Sequence, residues 1–339
     1  MGGCGGSPAP APSATGTVPA APPSPTPPPT VTLAFGGDVH FAERTLSLLD
    51  DPATAFGPVS SIFQAADLSM VNLETAVTER GTPEPKQFHF RAPSSAYAAV
   101  RAAGVDVVSL ANNHTLDYGQ VGLADTLSGA AAAGVPVVGA GATASAAYAP
   151  WVTTVEGVRI AVLGFTQITE LASTWVATDT RPGLAMAITD EQIALAAASI
   201  RSARSATDVV IVYMHWGQEY NECPIELQRR AAVAFADAGA SVIVGTHAHV
   251  LQGAGWLGST YVAYGLSNFV WWYNDAASND TGVLRVTLTG PSISGVEFLP
   301  AYIDRNTGQP IPSVGEEAAR ISAQYASLQG CTGLAATPS

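Results

Sequence analysis

Histidine residues recur at the ends of stretches that predict β-strands, and several have other potential metal ligands beside them. Five of the six histidines follow this pattern, namely His40, His114, His215, His247 and His249. The carboxyl ends of the strands in an open α/β sheet are where ligands bind. Imidazole together with carboxylate and amide oxygens would accept manganese, iron or zinc. The pattern therefore predicts a metal site at the strand ends.

Two of the motifs combine a pair of side chains that could hold one metal ion. Asp38 and His40 lie two residues apart, so they point the same way if the backbone between them stays extended. His247 and His249 have the same spacing, which makes this motif the most specific of the set. The alternative for the second pair is two solvated histidines in a loop.

Three further residues extend the ligand set beyond a single metal. Glu74 could bridge two ions, and Asn113 could supply an amide oxygen beside a histidine that acts on substrate, His114. The structural alternatives are a solvated carboxylate at Glu74 and an Asx-turn around Asn113. One metal would leave several of these side chains without a role, whereas two metals about 3.5–4 Å apart would use them all. The order of the motifs therefore favours a dinuclear site.

The elements that must position these residues alternate between strands and helices through the first two-thirds of the chain. Apolar runs predict strands, alanine-rich stretches predict helices, and residues 151–155 and 158–164 predict a hairpin. Continuous apolar runs between helices are typical of a parallel sheet covered on both faces. The last third predicts strands at 260–264, 282–288 and 293–298, which we expect to form a second, mixed sheet packed on the first. A helix is predicted at 315–328.

The two ends of the chain differ in composition from the rest. Residues 1–30 are almost wholly Gly, Pro, Ala, Ser and Thr, so they cannot bury enough apolar surface to fold and predict a disordered tether. We expect one folded domain at 31–329 and a disordered tail at 330–339.

Cysteine placement suggests an exported protein. Cys4 lies in Gly-Gly-Cys-Gly-Gly, which resembles the end of a bacterial lipoprotein signal, although the usual basic and apolar regions do not precede it. We expect acylation of Cys4 and an extracytoplasmic, membrane-anchored location; the alternative is a chance cysteine in a disordered segment. Cys223 and Cys331 could then pair, because extracytoplasmic compartments are oxidising.

The charge balance argues against two classes of partner. The formal net charge is −13 and Lys86 is the only lysine, whereas nucleic-acid-binding proteins usually carry a basic patch. The same acidic balance disfavours electrostatic adhesion to an anionic membrane surface. We therefore expect no nucleic acid, and contact with a membrane only through a lipid anchor.

The ordered motifs resemble the calcineurin-like metallophosphoesterases and, more closely, the CapA/PgsA capsule-synthesis family. The resemblance covers about residues 33–269, and His40 is present although many members of this branch lack it. The matching segments are Gly37-Asp38, Asn72-Leu73-Glu74, Ser109 to His114 with Leu116-Asp117-Tyr118-Gly119, His215-Trp216-Gly217-Gln218-Glu219-Tyr220, Gly245 to Val250, and Gly265-Leu266-Ser267-Asn268-Phe269.

The resemblance implies an α/β fold, a four-layer α/β/β/α sandwich, with two divalent metal ions at its site. By position, one metal would be held by Asp38, His40 and His249. The other would be held by Asn113, His215 and His247, with Glu74 as the bridge. His114 would act as general acid or stabilise charge on the leaving oxygen. Residues implied to support the site or contact substrate are Asn112, Glu219, Tyr220 and Asn268, and Arg91 could reach an anionic substrate.

Three functions remain open from the sequence. The resemblance implies a role in making poly-γ-glutamate or a capsule-like polymer, in which the protein would be a metal-dependent hydrolase or transferase acting on a phosphoester or amide bond. Alternatively, it would be a non-enzymatic accessory subunit that guides a growing anionic polymer at a membrane-bound synthase. A phosphodiesterase for small molecules is the third possibility, against which the predicted tether counts.

Overall fold

A computed structural model describes residues 1–11 and 28–339 of the chain. Most of the predicted tether, residues 1–30, therefore lies outside the described residues. Among the residues that are described, no helix combines the length and apolar character needed to cross a membrane.

The elements predicted from the sequence occur in the expected order, with bounds that agree to within about five residues, and further short strands and helices lie between them. The strands are β1 (Thr30–Val39), β2 (Leu68–Leu73), β3 (Ala76–Val77), β4 (Arg91–Ala92), β5 (Val107–Ser109), β6 (Val137–Val138), β7 (Ala140–Gly141), β8 (Trp151–Val155), β9 (Val158–Thr166), β10 (Gly183–Leu184), β11 (Val209–His215), β12 (Val242–Thr246), β13 (Leu251–Leu257), β14 (Thr260–Leu266), β15 (Asn268–Val270), β16 (Asp280–Thr289), β17 (Ser292–Ile303) and β18 (Pro310–Pro312). The α-helices are α1 (Ser60–Gln64), α2 (Ser95–Ala102), α3 (Gly119–Ala133), α4 (Ala144–Ala147), α5 (Ala172–Trp175), α6 (Asp190–Ala206), α7 (Glu226–Asp237) and α8 (Gly315–Ser327). Short 3₁₀ segments cover Glu43–Asp50, Pro52–Thr54, Gly57–Val59 and Leu328–Cys331.

Two large sheets, both mixed, form the centre of the fold. The first has the strand order β18-β17-β16-β1-β2-β5-β6, with β15 also paired to β1. The second has the order β13-β14-β12-β11-β9-β8. Neighbours from β1 to β6 in the first sheet and from β14 to β9 in the second are parallel, whereas the flanking strands are antiparallel.

The C-terminal strands differ from the prediction that they would form a sheet of their own. β13 and β14 extend the second sheet, while β16 returns to the first sheet and pairs antiparallel with β1. This pairing supplies hydrogen-bond partners to an edge of β1, a strand whose side chains are almost all buried. Sequence patterns identify such strands but carry little information about which sheet edge they join.

Alternating side chains place the two sheets face to face with helices outside them. In β1, Leu33 and Phe35 pack between the sheets against residues such as Ile160, whereas Ala34 faces a separate core shared with α1, α2 and α3. The second sheet is covered on its outer face by α6 and α7, through residues that include Phe235. Helices, sheet, sheet and helices therefore form the four-layer α/β/β/α sandwich that the resemblance implied.

Local signals in the sequence explain where the long helices begin and end. Thr189 accepts a hydrogen bond from the backbone N–H of Gln192, whose side chain accepts one from the N–H of Thr189 (3.3 and 3.1 Å). This reciprocal capping box begins α6. Helix α3 ends at Gly134, which adopts the left-handed conformation that glycine accommodates without strain.

The C-terminal segment is packed against the second sheet, in contrast to the disordered tail expected at 330–339. The backbone N–H and C=O of Ala335 bond to those of Trp256 at 2.9 and 2.8 Å. Cys331 forms a disulfide with Cys223, with 5.7 Å between their Cα atoms. The ordered structure of this segment could not be predicted from its Gly/Ala/Thr composition. Backbone pairing and one disulfide hold the segment, and neither needs large apolar side chains.

The disulfide should contribute measurably to the free energy of unfolding. It joins residues 108 apart in sequence, so replacing both Cys223 and Cys331 with Ser should lower the stability by about 2–5 kcal/mol. Urea unfolding without reductant measures the change, and Cys4→Ser, at an exposed free cysteine, is the matched control. A double variant as stable as the parent would show that this bond does not stabilise the fold.

Candidate metal centre

The carboxyl ends of strands from both sheets meet at one edge of the sandwich. Asp38 lies near the end of β1 and His215 ends β11, while Glu74 and His247 directly follow β2 and β12. Close backbone packing makes this possible, because a Cβ atom on Gly37 would lie 2.0 Å from the carbonyl oxygen of Ser267. A glycine is therefore required at position 37, where β1 passes the backbone of Ser267.

Three of the predicted ligands surround one ring nitrogen of a fourth, His215. Its Nε2 lies 2.7 Å from Asn113 Oδ1, 3.1 Å from His247 Nδ1 and 3.4 Å from Glu74 Oε1. We call Glu74, Asn113, His215 and His247 the inner cluster. It contains the whole set that the resemblance assigned to one metal, together with the proposed bridging carboxylate.

Glu74 is the feature of the inner cluster that most needs a cation. Its side chain is fully buried, and neither carboxylate oxygen has a hydrogen-bond partner among the residues that the structure describes. Burial and the nearby charge of Asp38 raise the pKa of Glu74. Burying an unpaired carboxylate is costly, and a divalent ion would remove that cost. A carboxylate, an amide oxygen and two imidazoles also suit manganese, iron or zinc, so the residues present fit a metal ion.

Asp38 lies on the opposite side of the His215 ring from the inner cluster. Its Oδ1 is 3.5 Å from His215 Nδ1 and accepts a hydrogen bond from Asn72 at 2.7 Å, while its Oδ2 accepts one from the backbone N–H of His247 at 2.9 Å. Burial lowers the pKa of His215, but the carboxylates of Glu74 and Asp38 outweigh it and raise that pKa to about 9. Asp38 therefore contributes to the raised pKa of His215, whose Nδ1 lies closer to Thr246 Oγ1, at 3.0 Å.

Among the residues that the structure describes, His40 does not belong to a group whose potential metal-ligand atoms cluster. Its Nδ1 faces the backbone N–H of Ala42 at 3.2 Å and its Nε2 faces that of Trp272 at 3.3 Å. The ring also stacks on Phe90, with 4.1 Å between centroids. Asp38 and Val39 pair in register with Asn72 and Leu73 of β2, so β1 stays regular up to its end at Val39, and His40 lies just beyond it.

The His247–Ala248–His249 segment reaches the site by a different route from the one predicted. Strand β12 ends at Thr246, and both histidines then adopt left-handed backbone conformations, with φ of 89° and 57°. Their ring centroids are 5.6 Å apart. Strand alternation therefore does not bring the rings together; a strained turn does, which is a feature that clusters at functional sites.

His114 is held by two residues to which sequence analysis assigned no role. Its Nδ1 donates to Asp117 Oδ2 at 2.6 Å, which leaves Nε2 free, 3.8 Å from Glu74 Oε1. Asp117 in turn pairs with Lys86 at 2.9 Å. Burial, and secondarily the charge of Lys86, hold the pKa of His114 well below its ordinary value. The available signals were an acid three residues after the histidine and the single lysine of the chain.

A cleft of about 680 Å³ opens over the site. His114, Asn113 and His249 lie on its wall, and Glu219 and Tyr220 line it from the loop after β11. Further lining residues are largely aromatic or acidic: Phe88, Phe90, Glu170, Trp271, Trp272, Tyr273 and Asp275. The cleft therefore gives a substrate access to His114 and His249.

The remaining predicted residues divide between supporting roles and positions outside the cleft. Asn112 is buried, and its Oδ1 accepts from the backbone N–H groups of His114 and Thr115 at 3.0 Å, which is the Asx-turn alternative. Asn268 Oδ1 is 2.7 Å from His249 Nδ1. Arg91 instead stacks over Tyr118 at 3.4 Å, in a separate depression, so it does not reach the cleft.

The four-layer arrangement of helices and sheets is a fold of the metallophosphoesterase type. A solved structure of a phosphatase from Mycoplasma pneumoniae has the same fold, with a TM-score of 0.51, 15% identity, and coverage of 80% of this chain and 94% of that one. Residues 32–273 match the family described as bacterial capsule synthesis protein PGA_cap. The chain belongs to this family.

Individual relatives have names that refer to polymer synthesis. The chain is 31% identical to the PGA biosynthesis protein CapA of Bacillus subtilis (strain 168), over 83% of this chain and 74% of that one. It is 27% identical to a probable polyglutamine synthesis accessory protein of Mycobacterium tuberculosis, over 79% of this chain and 76% of that one.

The Lys86–Asp117 ion pair should be essential to the fold around His114. Lys86 is 2% exposed and Asp117 is fully buried, so Lys86→Met leaves a buried carboxylate without its cation and should cost about 3–5 kcal/mol. The matched control is Arg285→Met, which removes an exposed pair with Glu297 and should cost at most about 1 kcal/mol. Urea unfolding of both variants tests the difference; equal losses would contradict it.

Proposed function

We propose that this protein acts in the synthesis of poly-γ-glutamate or a similar capsule polymer, as a metal-dependent hydrolase or transferase. The bond is a phosphoester or an amide, since both suit a two-metal centre. The observation that carries the proposal is the inner cluster, in which the fully buried Glu74 has no hydrogen-bond partner among the described residues and faces His215, Asn113 and His247. The identity of the polymer is inferred from the names of the relatives.

The inner cluster would hold the metal, and the residues around it would transfer protons and exclude water. Divalent ions bound there would polarise the bond under attack and lower the pKa of water. His114 carries its proton on Nδ1 against Asp117, so its free Nε2 can accept a proton within the cleft or stabilise charge once protonated. Phe90 stacks on the His114 ring with 4.0 Å between centroids, which fixes the ring and excludes water from one face.

A non-enzymatic accessory role is the second candidate. It is supported by the name of the mycobacterial relatives, which are called accessory proteins, and by the contacts of His40, whose ring nitrogens face backbone N–H groups. In that case the protein would guide a growing polymer at a membrane-bound synthase, and the metal would only hold the strand ends together.

Metal content tests the hydrolase candidate, which cannot act without a bound metal. We expect about two equivalents of manganese, iron or zinc in the purified protein, and a clear loss in a His247→Ala/His249→Ala double variant. His89→Ala is the matched control, because His89 lies outside the cleft and contacts the carbonyl oxygen of Glu84 at 2.6 Å. Elemental analysis gives the stoichiometry. Little or no metal, even after incubation with these ions, would eliminate the hydrolase and leave the accessory subunit.

We also propose that the protein is exported and anchored to the membrane through acylation of Cys4. The Cys223–Cys331 disulfide supports export, because such bonds persist in oxidising compartments. Cys4 is exposed, as a modified residue must be. More than one acyl chain would be needed for stable anchoring.

Mass spectrometry of the N-terminal peptide tests the anchor. Protein isolated from its native host should carry acyl groups on Cys4 and sediment with membranes. The Cys4→Ala variant should lose both the modification and the sedimentation. An unmodified Cys4 in protein that sediments with membranes would contradict this anchor.

A further inference from the structure

The exposed aromatic side chains of the protein all lie around one opening. Every Phe, Tyr and Trp of the chain falls within the described residues, and only Phe88, Tyr220 and Tyr273 among them are exposed, by 47–50%. All three line the cleft over the candidate metal centre. Exposed apolar surface that is gathered in one place marks a binding site. The outer part of this cleft is therefore expected to contact a ligand directly.

Neighbouring aromatic rings form a wall along the outer cleft. The ring centroid of Trp272 is 6.5 Å from that of Phe88 and 5.4 Å from that of Tyr273. Nearer the metal centre, the Tyr220 ring lies 6.2 Å from that of His249. Aromatic rings bind apolar groups through their area, and their faces also attract organic cations. The charges of the cleft decide which kind of group fits.

The charged residues that line the cleft are mostly acidic. They are Glu170, Glu219 and Asp275, whereas Lys86 is the only lysine or arginine among the lining residues. Lys86 is 2% exposed, and its ammonium group pairs with Asp117 at 2.9 Å and with Glu170 at 3.2 Å. Within the described part of the chain, no lysine or arginine pairs with Glu219 or Asp275. The outer cleft therefore attracts cations and repels anions.

The two unpaired carboxylates act on the same aromatic side chain from different loops. Burial first, and then the negative charges of Asp275 and Glu219, raise the pKa of Tyr220. Glu219 lies in the loop after β11, and Asp275 lies between β15 and β16. The N–H of Tyr220 bonds to the carbonyl oxygen of Ala248 at 2.7 Å, which holds this ring at the site. A cation beside Tyr220 would meet two carboxylates and an aromatic ring together.

We propose that the outer cleft binds a primary ammonium group of the substrate, recognised by the rings of Tyr220 and Tyr273 and the carboxylates of Glu219 and Asp275. This inference rests on the proposed function and specifies the part of the substrate that enters the site. An internal stretch of poly-γ-glutamate carries a carboxylate on every unit, so the outer cleft would repel it. Two substrates offer the ammonium group: the amino end of such a polymer and a free amino-acid precursor.

Calorimetric titration of the full chain with a γ-linked glutamate trimer tests the proposal without an activity assay. The trimer and its N-acetylated form carry the same carboxylates, so any contact with a metal is common to both. At about pH 6.5, below the pKa of ~7.7–8.0 of an α-amino group, only the first carries an ammonium group. The free-amine trimer should bind about fivefold more tightly. Free glutamate separates the two sources: it binds as tightly as the trimer if the precursor is the ligand, and more weakly if the polymer end is.

Asp275→Asn should affect the two trimers differently. It should weaken binding of the free-amine trimer about threefold or more, and it should not weaken binding of the acetylated trimer, because the lost carboxylate attracts only the ammonium group. Asparagine can still accept the N–H of Ala277, which Asp275 Oδ1 accepts at 2.9 Å, so the loop is preserved. Tyr273→Leu, which keeps an apolar side chain but removes the ring, should have the same selective effect.

The matched control for charge is Asp237→Asn. Asp237 is exposed at the end of α7 and precedes β12, whose opposite end carries His247. It should leave the binding of both trimers unchanged, because salt screens charges that lie more than ~8–10 Å apart.

Three outcomes would overturn the proposal, and they separate its failure from that of the proposed function. Equal binding of the free-amine and acetylated trimers would eliminate ammonium recognition but leave a polymer-binding protein. Equal weakening of both trimers by Asp275→Asn would show a general disturbance of the loop in place of a lost attraction. Binding of neither trimer would eliminate the ammonium site, while the metal content would still decide whether the protein is a metal-dependent enzyme.

Discussion

A buried carboxylate without hydrogen-bond partners is the constraint on which the site depends. Glu74 lies at the junction of two sheets, where its carboxylate has no hydrogen-bond partner among the described residues and His215 Nε2 lies 3.4 Å from its Oε1. The raised pKa of His215 is the counterpart of this arrangement, because that ring compensates for two buried carboxylates. Such a centre is incomplete as an assembly of protein groups alone. The fold supplies the packing energy that keeps these charges together, and a cation would relieve their cost.

The sequence predicted what depends on local pattern and missed what depends on long-range contacts. Apolar runs located the strands, and the residue types at their ends located the inner cluster, because parallel strands must end at a common edge. The grouping of His40 with Asp38 and His249 stays a prediction; the backbone N–H groups of Ala42 and Trp272 that face the His40 ring are brought there by the fold and have no signature in residue type. Lys86 was equally hidden: its partner Asp117 lies 31 residues away and only the fold brings them together.

Two layers of support surround the residues that would meet substrate. Asn112 and Asn72 form a connected set of amide hydrogen bonds that ties the turn before His114 to Asp38. On the cleft side, Asp117 and Phe90 hold the His114 ring by charge and by stacking. Fixed geometry of this kind lets a reacting group act without reorganisation. It also explains why so many polar side chains near the site are fully buried yet hydrogen-bonded.

The loop beside the cleft is anchored by a disulfide whose second cysteine is made much later than the first. Cys223 follows the loop that carries Glu219 and Tyr220, whereas Cys331 lies near the C-terminus. Domains generally fold as units, but a bond between residues 108 apart in sequence cannot form before both cysteines have been made. The loop beside the cleft therefore receives its covalent anchor only after Cys331 has been made.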